Sequence, residues 1–365
     1  ILLSPLGFGI NALMFPLMLG VTGILATIVG VFVTRGWRKT RPSMSFNLGL
    51  LATAVICVLG AYFSSMTLLN NVTIFYAVVS GLVASLAVGL AVQYYIGING
   101  RPVKKIAESS ERGAAINIIT GLSYAFQSPF MPFLSVLAVI LFSYFIINGS
   151  IPALYGMVAA NLGTDLAIGI IMSSDAFGPI SDNAAGIAQM SGIHTHNGEA
   201  LEELDAMGNA TKAYTKAFAT ASGTVSTVVI FITYGEIVKL YSVSFGLLSP
   251  IIIVGFLLGA ALPFLFSSLA IGATGKTAYQ MVDEVRRQFK ENPGIIEGKV
   301  KPDYVRCVDI GTKNALKQMI APGLLAIASP IVVGFGFGSL GKYALGAMLL
   351  GGLATSALLS PFFTF

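Results

Sequence analysis

The fold class this sequence predicts is an all-α integral membrane protein, a polytopic bundle with about nine spanning helices. Three observations carry it. Apolar residues make up 55% of the 365 positions and charged residues only 10%, against about 25% charged in an ordinary soluble domain. Mean hydropathy is +0.83. Apolar runs of about 20 residues recur, each long enough to cross roughly 30 Å of hydrocarbon as a helix. In lipid the backbone must satisfy its own hydrogen bonds, which leaves helices or a closed barrel. The runs are continuous rather than alternating, and that selects helices.

The spans are expected near 9–34, 44–64, 73–97, 116–148, 152–175, 208–235, 246–270, 317–338 and 341–361. The fourth carries Pro129 and Pro132 and is expected to be kinked, or split into a cytosolic and a spanning part. The whole chain is treated as one transmembrane helical domain, with cytosolic connections near 35–43, 98–115, 176–207 and 285–316. Two of these are long and polar, and Pro293, Gly294, Gly298 and Pro302 should break any helix in the last.

Charge fixes the topology. Arg35, Arg38, Lys39 and Arg41 follow the first span, and Arg101, Lys104, Lys105 and Arg112 the third. Arg286, Arg287, Lys290, Lys299, Lys301 and Arg306 follow the seventh. The loops after the even-numbered spans carry only Lys239 and Lys342. An excess of Lys and Arg marks the cytosolic side, so odd-numbered spans run outward to inward. The formal charge of +5 is thereby a topology signal, and no nucleic-acid partner is expected. Trp37 and the pair Tyr94–Tyr95 sit at span ends, as an interfacial aromatic belt does.

Cys57 and Cys307 lie too far apart in sequence and setting to suggest a disulfide framework or a metal site. The chain starts at Ile1 with no basic n-region before it, and it ends in "LLSPFFTF"; both ends are expected to be cuts through a larger protein. Neither a phosphate-binding P-loop nor a nucleophile elbow occurs. Gly-rich stretches such as "GFGFGSLG" fall within or beside spans, where small residues let helices approach closely.

Charges at membrane helices are costly, so they are the functional candidates. "SSDAFGPISDN" sets Asp175 and Asp182 seven residues apart at the cytosolic end of the fifth span. Two turns separate them if the helix continues, and Pro179 removes a backbone donor between them. A hard divalent cation such as Mg²⁺ uses carboxylates in this way, with phosphate oxygens completing its shell. Solvated carboxylates at a helix end account for the pattern equally well. Asn209, Lys212 and Lys216 recur at spacings of three and four and share one helical face. Lysines for phosphate oxygens and carboxylates for metal would make a Mg²⁺–phosphate site; lysines snorkelling to the interface are the plainer alternative.

Glu202, Glu203 and Asp205 precede the sixth span, where acids favour the positive end of the helix dipole. Asp165 stands alone three turns deeper than Asp175. Either it relays a proton or ion, or a neighbouring hydroxyl or helix end satisfies it. His194 and His196 read as a solvated loop rather than a metal pair.

"DAFGPISDNAAGIAQMSG" followed by "LDAMGNATKAYTKAFA" resembles the membrane-bound, ion-pumping inorganic pyrophosphatases. "MVDEVRRQFKENPGIIEGKVKPDYVRCV" resembles a cytosolic segment of the same family, and "RPVKKIAESSERGAAINII" matches more weakly. The resemblance runs over nearly the whole chain, which looks like helices seven to fifteen of sixteen. It implies a homodimer in the lipid bilayer that hydrolyses Mg-pyrophosphate at a cytosolic funnel and pumps H⁺ or Na⁺ out of the cytosol. Hydrolysis in such proteins uses water held by aspartates, without a phosphoenzyme, consistent with metal-assisted displacement. The membrane implied is the cell membrane of a prokaryote, or a vacuolar or acidocalcisome-type membrane of a eukaryote.

By this resemblance Asp182 is a Mg²⁺/pyrophosphate-site carboxylate, Asn209 lies in the same site with Lys216, and Asp175 sits at its base. Potassium-dependent members resemble Gly-Asn-x-Thr-Ala-Ala-x-Gly-Lys here, whereas this chain has Lys212 and Thr215 at the Ala and Gly positions. That pattern resembles the K⁺-independent proton pumps. Ala185 and Gln189 depart from a usual Gly and Glu, and Asp165 falls where the family normally has an apolar residue. The family's paired-aspartate motifs upstream and near the C-terminus are missing, so residues 1–365 alone are expected not to hydrolyse pyrophosphate. A cation-coupled secondary transporter with a helix broken at Gly178–Pro179 and an inactive scaffold are the competing readings.

Overall fold

The computed structural model describes residues 8–36, 42–97, 100–146, 153–190, 198–240 and 249–364. Trp37, Arg38, Lys39, Arg41, His194 and His196 lie outside the described residues. Among the described residues, nine stretches are long and apolar enough to cross a membrane, and they correspond one for one to the predicted spans. The protein is an all-α polytopic membrane protein.

Its helices are α1 (Asn11–Gly36), α2 (Pro42–Ser64), α3 (Val72–Ile96), α4 (Arg101–Ser110), α5 (Ala114–Gln127), α6 (Phe130–Ile146) and α7 (Ala153–Asp165). They continue with α8 (Ile168–Ser173), α9 (Phe177–Met190), α10 (Gly198–Ile237), α11 (Pro250–Glu291), α12 (Tyr304–Gln318), α13 (Ile320–Gly336) and α14 (Gly341–Thr364). The chain forms two compact units, Ile1–Thr233 with Ala357–Phe365, and Tyr234–Ser356.

The first unit is built on close helix crossings that small residues allow. α1 and α2 meet at Gly30 and Gly49, where a Cβ on either would overlap the other's carbonyl. The Thr53 hydroxyl, fully buried there, has Gly49 O at 2.9 Å and Ala26 O of α1 at 3.2 Å. α3 and α7 meet reciprocally at Gly81 and Gly163, each packed on the other helix's backbone. Backbone approach of this kind is how helices associate where lipid removes the hydrophobic drive. Phe15, Leu19, Ile74, Val78 and Ile171 fill the core between these pairs. A π-turn at Ser65–Leu69 ends α2, and Asn71 caps α3 by accepting from Thr73 N at 2.9 Å. Large apolar side chains such as Leu17, Ile24 and Phe32 remain outside, as a lipid-facing surface requires.

The fourth span is split as expected: α5 and α6 part at Ser128–Pro129, and Pro132 lies within the first turn of α6. The fifth span departs from the single helix predicted. Within 152–175 it is two helices, α7 and α8, parted at Leu166–Ala167, and a second break at Ser174–Ala176 separates α8 from α9. Asp175 and Asp182 therefore do not share one helix. Pro179 is the third residue of α9, within the first turn, where its missing N–H has no intrahelical acceptor to lose. The polar stretch 176–207 is largely helical, because α10 starts at Gly198, ten residues before the apolar run at 208. Glu202 and Glu203 consequently sit in the second turn, beyond the strong reach of the helix dipole.

In the second unit α11 continues past its apolar part to Glu291, and the predicted break falls at 292–303 before α12. Glu284, almost fully buried, pairs with Arg287 at 2.7 Å and Arg306 at 3.1 Å, while Gln288 bonds Asp303 N at 2.8 Å and clasps the turn. α11 and α14 cross closely at Gly255 and Gly259, over the carbonyls of Ala344 and Met348. In "GFGFGSLG" the Gly341 backbone lies on Gly334 O, so the tight α13–α14 turn uses its glycines for close approach. Cys57 and Cys307 are both free thiols.

Candidate functional site

The site forms where the first turn of α9 lies against the start of the apolar part of α10. Gly178 and Gly208 make that approach possible. A Cβ on Gly208 would overlap Ser181 Oγ, and one on Gly178 would overlap the aliphatic stem of Lys212. Lys212 thus lies along the α9 backbone, and its ammonium forms an ion pair with Asp182. Asn209 Oδ1 accepts from the same ammonium at 3.4 Å. One turn on, the Thr215 hydroxyl has Asp175 Oδ1 at 2.7 Å and Lys212 O at 2.9 Å. Each aspartate of "SDAFGPISDN" therefore has its own partner on α10, and the partners are the two residues that part from the potassium-dependent pattern.

The structure brings Asp182, Asn209 and Lys212 together directly. It places Asp175 toward Thr215, on the membrane side of that cluster, and no hydrogen bond joins the two aspartates among the described residues. Lys216 is exposed one turn beyond Lys212 on the same side of α10. Asp165 lies deeper, at the end of α7, where it accepts from Ser222 Oγ at 2.5 Å.

One residue is in the site that the sequence reading left to the helix dipole. The Asp205 carboxyl lies within hydrogen-bonding reach of Asp182, and its Oδ1 is buried with no partner among the described residues. The signal was present, since 205, 209, 212 and 216 follow the same four-three-four spacing down one face. Two carboxyl groups that meet in this way repel unless a proton or a cation lies beside them, and the Lys212 ammonium on Asp182 supplies one such charge. One or two carboxylates with substrate phosphates is the usual complement for Mg²⁺, so Asp182 and Asp205 fit part of such a shell. Among the described residues no group of three or more Asp, Glu, His or Cys side chains could hold a metal.

The family model described as inorganic H⁺ pyrophosphatase matches residues 1–364. The chain belongs to that family. It is 42% identical over 344 residues to a K(+)-insensitive pyrophosphate-energized proton pump of Methanosarcina mazei, covering 93% of the chain and 51% of that protein. It is 38% identical over 378 residues to a protein of the same description from Caldanaerobacter subterraneus subsp. tengcongensis, covering 97% of the chain and 52% of that protein. A putative K(+)-stimulated pyrophosphate-energized sodium pump of Clostridium tetani is 39% identical over 342 residues, covering 93% and 50%. The chain spans about half the length of the curated relatives it matches. The three identities are too close for overall likeness to separate a K⁺-insensitive relative from a K⁺-stimulated one, which puts that question on individual residues.

Proposed function

We propose that the protein is part of a pyrophosphate-hydrolysing pump that moves H⁺ out of the cytosol without requiring K⁺. The observation that carries the reading is the set Asp182, Asp205, Asn209 and Lys212 on two apposed helix starts, in a chain matched by the family over residues 1–364. Pyrophosphate is a compact polyanion, and a cleft with carboxylates for a cation and amines for oxygens is the chemistry that holds it.

In this reading Asp182 and Asp205 hold Mg²⁺, with Asp175 as a further carboxylate at the base of the site. Bound Mg²⁺ would screen the phosphate charge and favour attack by water. Asn209 orients the anion by hydrogen bonding, and Lys216 supplies an ammonium to phosphate oxygens. Lys212 keeps a fixed positive charge beside Asp182, where a K⁺-stimulated pump would recruit a soluble cation. Thr215 holds Asp175 in one orientation. The protein would act as a homodimer, in the cell membrane of a prokaryote or a vacuolar or acidocalcisome-type membrane of a eukaryote.

The test is Mg²⁺-dependent phosphate release from pyrophosphate by sealed membranes carrying the full-length protein, with acidification of the vesicle interior. Asp182→Asn should abolish release while the folded protein still reaches the membrane. A wild-type protein that folds and releases no phosphate would favour the transporter or scaffold reading.

A further inference from the structure

Beyond the phosphate site, α7–α9 and α10 face each other through a ladder of polar pairs: Asp182–Lys212, Asp175–Thr215, Asp165–Ser222 and, at 2.9 Å, Asn161–Ser226. On α10 the rungs fall at 212, 215, 222 and 226, a single helical face. The ladder skips one rung. Between Thr215 and Ser222, about 10 Å along the helix, the position is taken by Phe218, which is fully buried. The first two pairs are thus divided from the last two by an aromatic plug.

Asp165 is set apart from an ordinary helix-end carboxylate in three ways. It sits at the break between α7 and α8, where irregular backbone at membrane depth is tolerated only if protein or a cavity surrounds it. It lines a cavity of about 420 Å³ against α1, together with Thr27, Gly23 and Leu166. The Thr27 hydroxyl there is buried with no partner among the described residues. Its own partner, Ser222, lines a second cavity beneath Phe218 with Ser85 and Thr164. That cavity, about 10 Å³, is on the scale of one water molecule. The Asp165–Ser222 bond therefore joins two cavities.

A hydroxyl satisfies one oxygen but does not balance a charge, and balancing an intramembrane carboxylate takes a cation or a proton. α1, α2, α3, α6 and α8 carry no Asp, Glu or Lys, and their single Arg is Arg35 in the last turn of α1. Lys212 and Lys216 of α10 lie on the cytosolic side of Phe218. The titratable neighbours are Cys57, whose Sγ is 3.6 Å from Leu166 O, and Tyr214, whose hydroxyl is 3.4 Å from Ser85 O. None of these supplies a countercharge.

We propose that Asp165 is an intramembrane proton-binding site on the outward path of the pump. Its carboxylate takes up one proton that has passed Phe218 from the cytosolic side, and the neutral acid returns that proton toward the far side. This rests on the pump reading given above. Ser222 positions the carboxylate through Oδ1, and the cavity against α1 provides the second access.

The test has two arms on the full-length protein in sealed vesicles. In the first, Asp165→Asn should lower the protons taken up per phosphate released at least fivefold, and Asp165→Glu should restore the ratio to within twofold. An Asn variant that pumps at the wild-type ratio overturns the proposal. In the second, unmodified protein is treated with dicyclohexylcarbodiimide, which attacks protonated carboxyls in apolar surroundings, and the adduct is located by mass spectrometry. An adduct on Asp165 that disappears as pH rises supports the site; absence of any adduct at pH 5 to 9 overturns it, even if the Asn variant fails to fold. Labelling of Asp165 in a protein that releases no phosphate would remove the pyrophosphatase reading and leave the proton site standing.

Discussion

Lys212 concentrates the chemistry of the site in one side chain. Its stem is seated on Gly178, its ammonium on Asp182, and Asn209 accepts from it as well. A fixed ammonium does the electrostatic work of a bound monovalent cation, at no cost in recruiting one from solution. Lys212→Ala should therefore lower phosphate release at least fivefold in K⁺-free buffer, with most of it recovered on adding K⁺, while the wild type responds less than twofold. Recovery that Na⁺ and choline give equally would refute a cation site at this position. The residues 209, 212 and 216 were legible in the sequence from their spacing. Asp205 is not legible as a member of the set, because the apolar run that marks the span begins only at 208. Hydropathy registers only the part of a helix that lipid covers, and the first ten residues of α10 lie outside it.

At the scale of elements, the apolar runs located the nine spans found among the described residues, since length and composition alone decide which helices can cross. The split of the fourth span was legible from Pro129. The breaks in the fifth were not. Leu166–Ala167 contains neither Gly nor Pro; what opens the helix there is tertiary, with Gly23 of α1 packed on the Leu166 carbonyl and Cys57 of α2 beside it. Pro179 lies in the first turn of α9, which tolerates it. The crossing of α3 and α7 gives a direct test of how the elements hold together. A methyl group on Gly163 would overlap Val78 O, a backbone atom that cannot swing aside. Gly163→Ala should destabilise by about 1–3 kcal/mol, the usual range for overpacking, read as an earlier thermal unfolding in detergent. Gly186→Ala, where nothing lies within 4 Å, should unfold with the wild type.

For the whole molecule, direction follows from charge. The positive-inside rule gives each basic connection an expected side, the cytosol, which labelling can check one position at a time. In a background with Cys57 and Cys307 replaced by alanine, Lys299→Cys should react with an impermeant maleimide only from the cytosolic side. Asn70→Cys, in the turn between α2 and α3, should react only from the other. An exchange of the two labelling sides would invert the topology, and labelling of both from one side would break the alternation of the spans.

The unbroken helix α10 also has a mechanical meaning. Its 40 residues make a rod of about 60 Å, roughly twice the bilayer's hydrocarbon thickness, and it carries one member of each of the four ladder pairs. The other members lie on α7, in the joint at 174–176 and on α9, with the short α8 between the joints at 166–167 and 174–176. One side is a straightedge and the other a jointed arm. In the proposed pump, closing of the cleft on an anion would strain the joints rather than the rod, and the six residues of α8 would be the link through which a pull on α9 reaches Asp165.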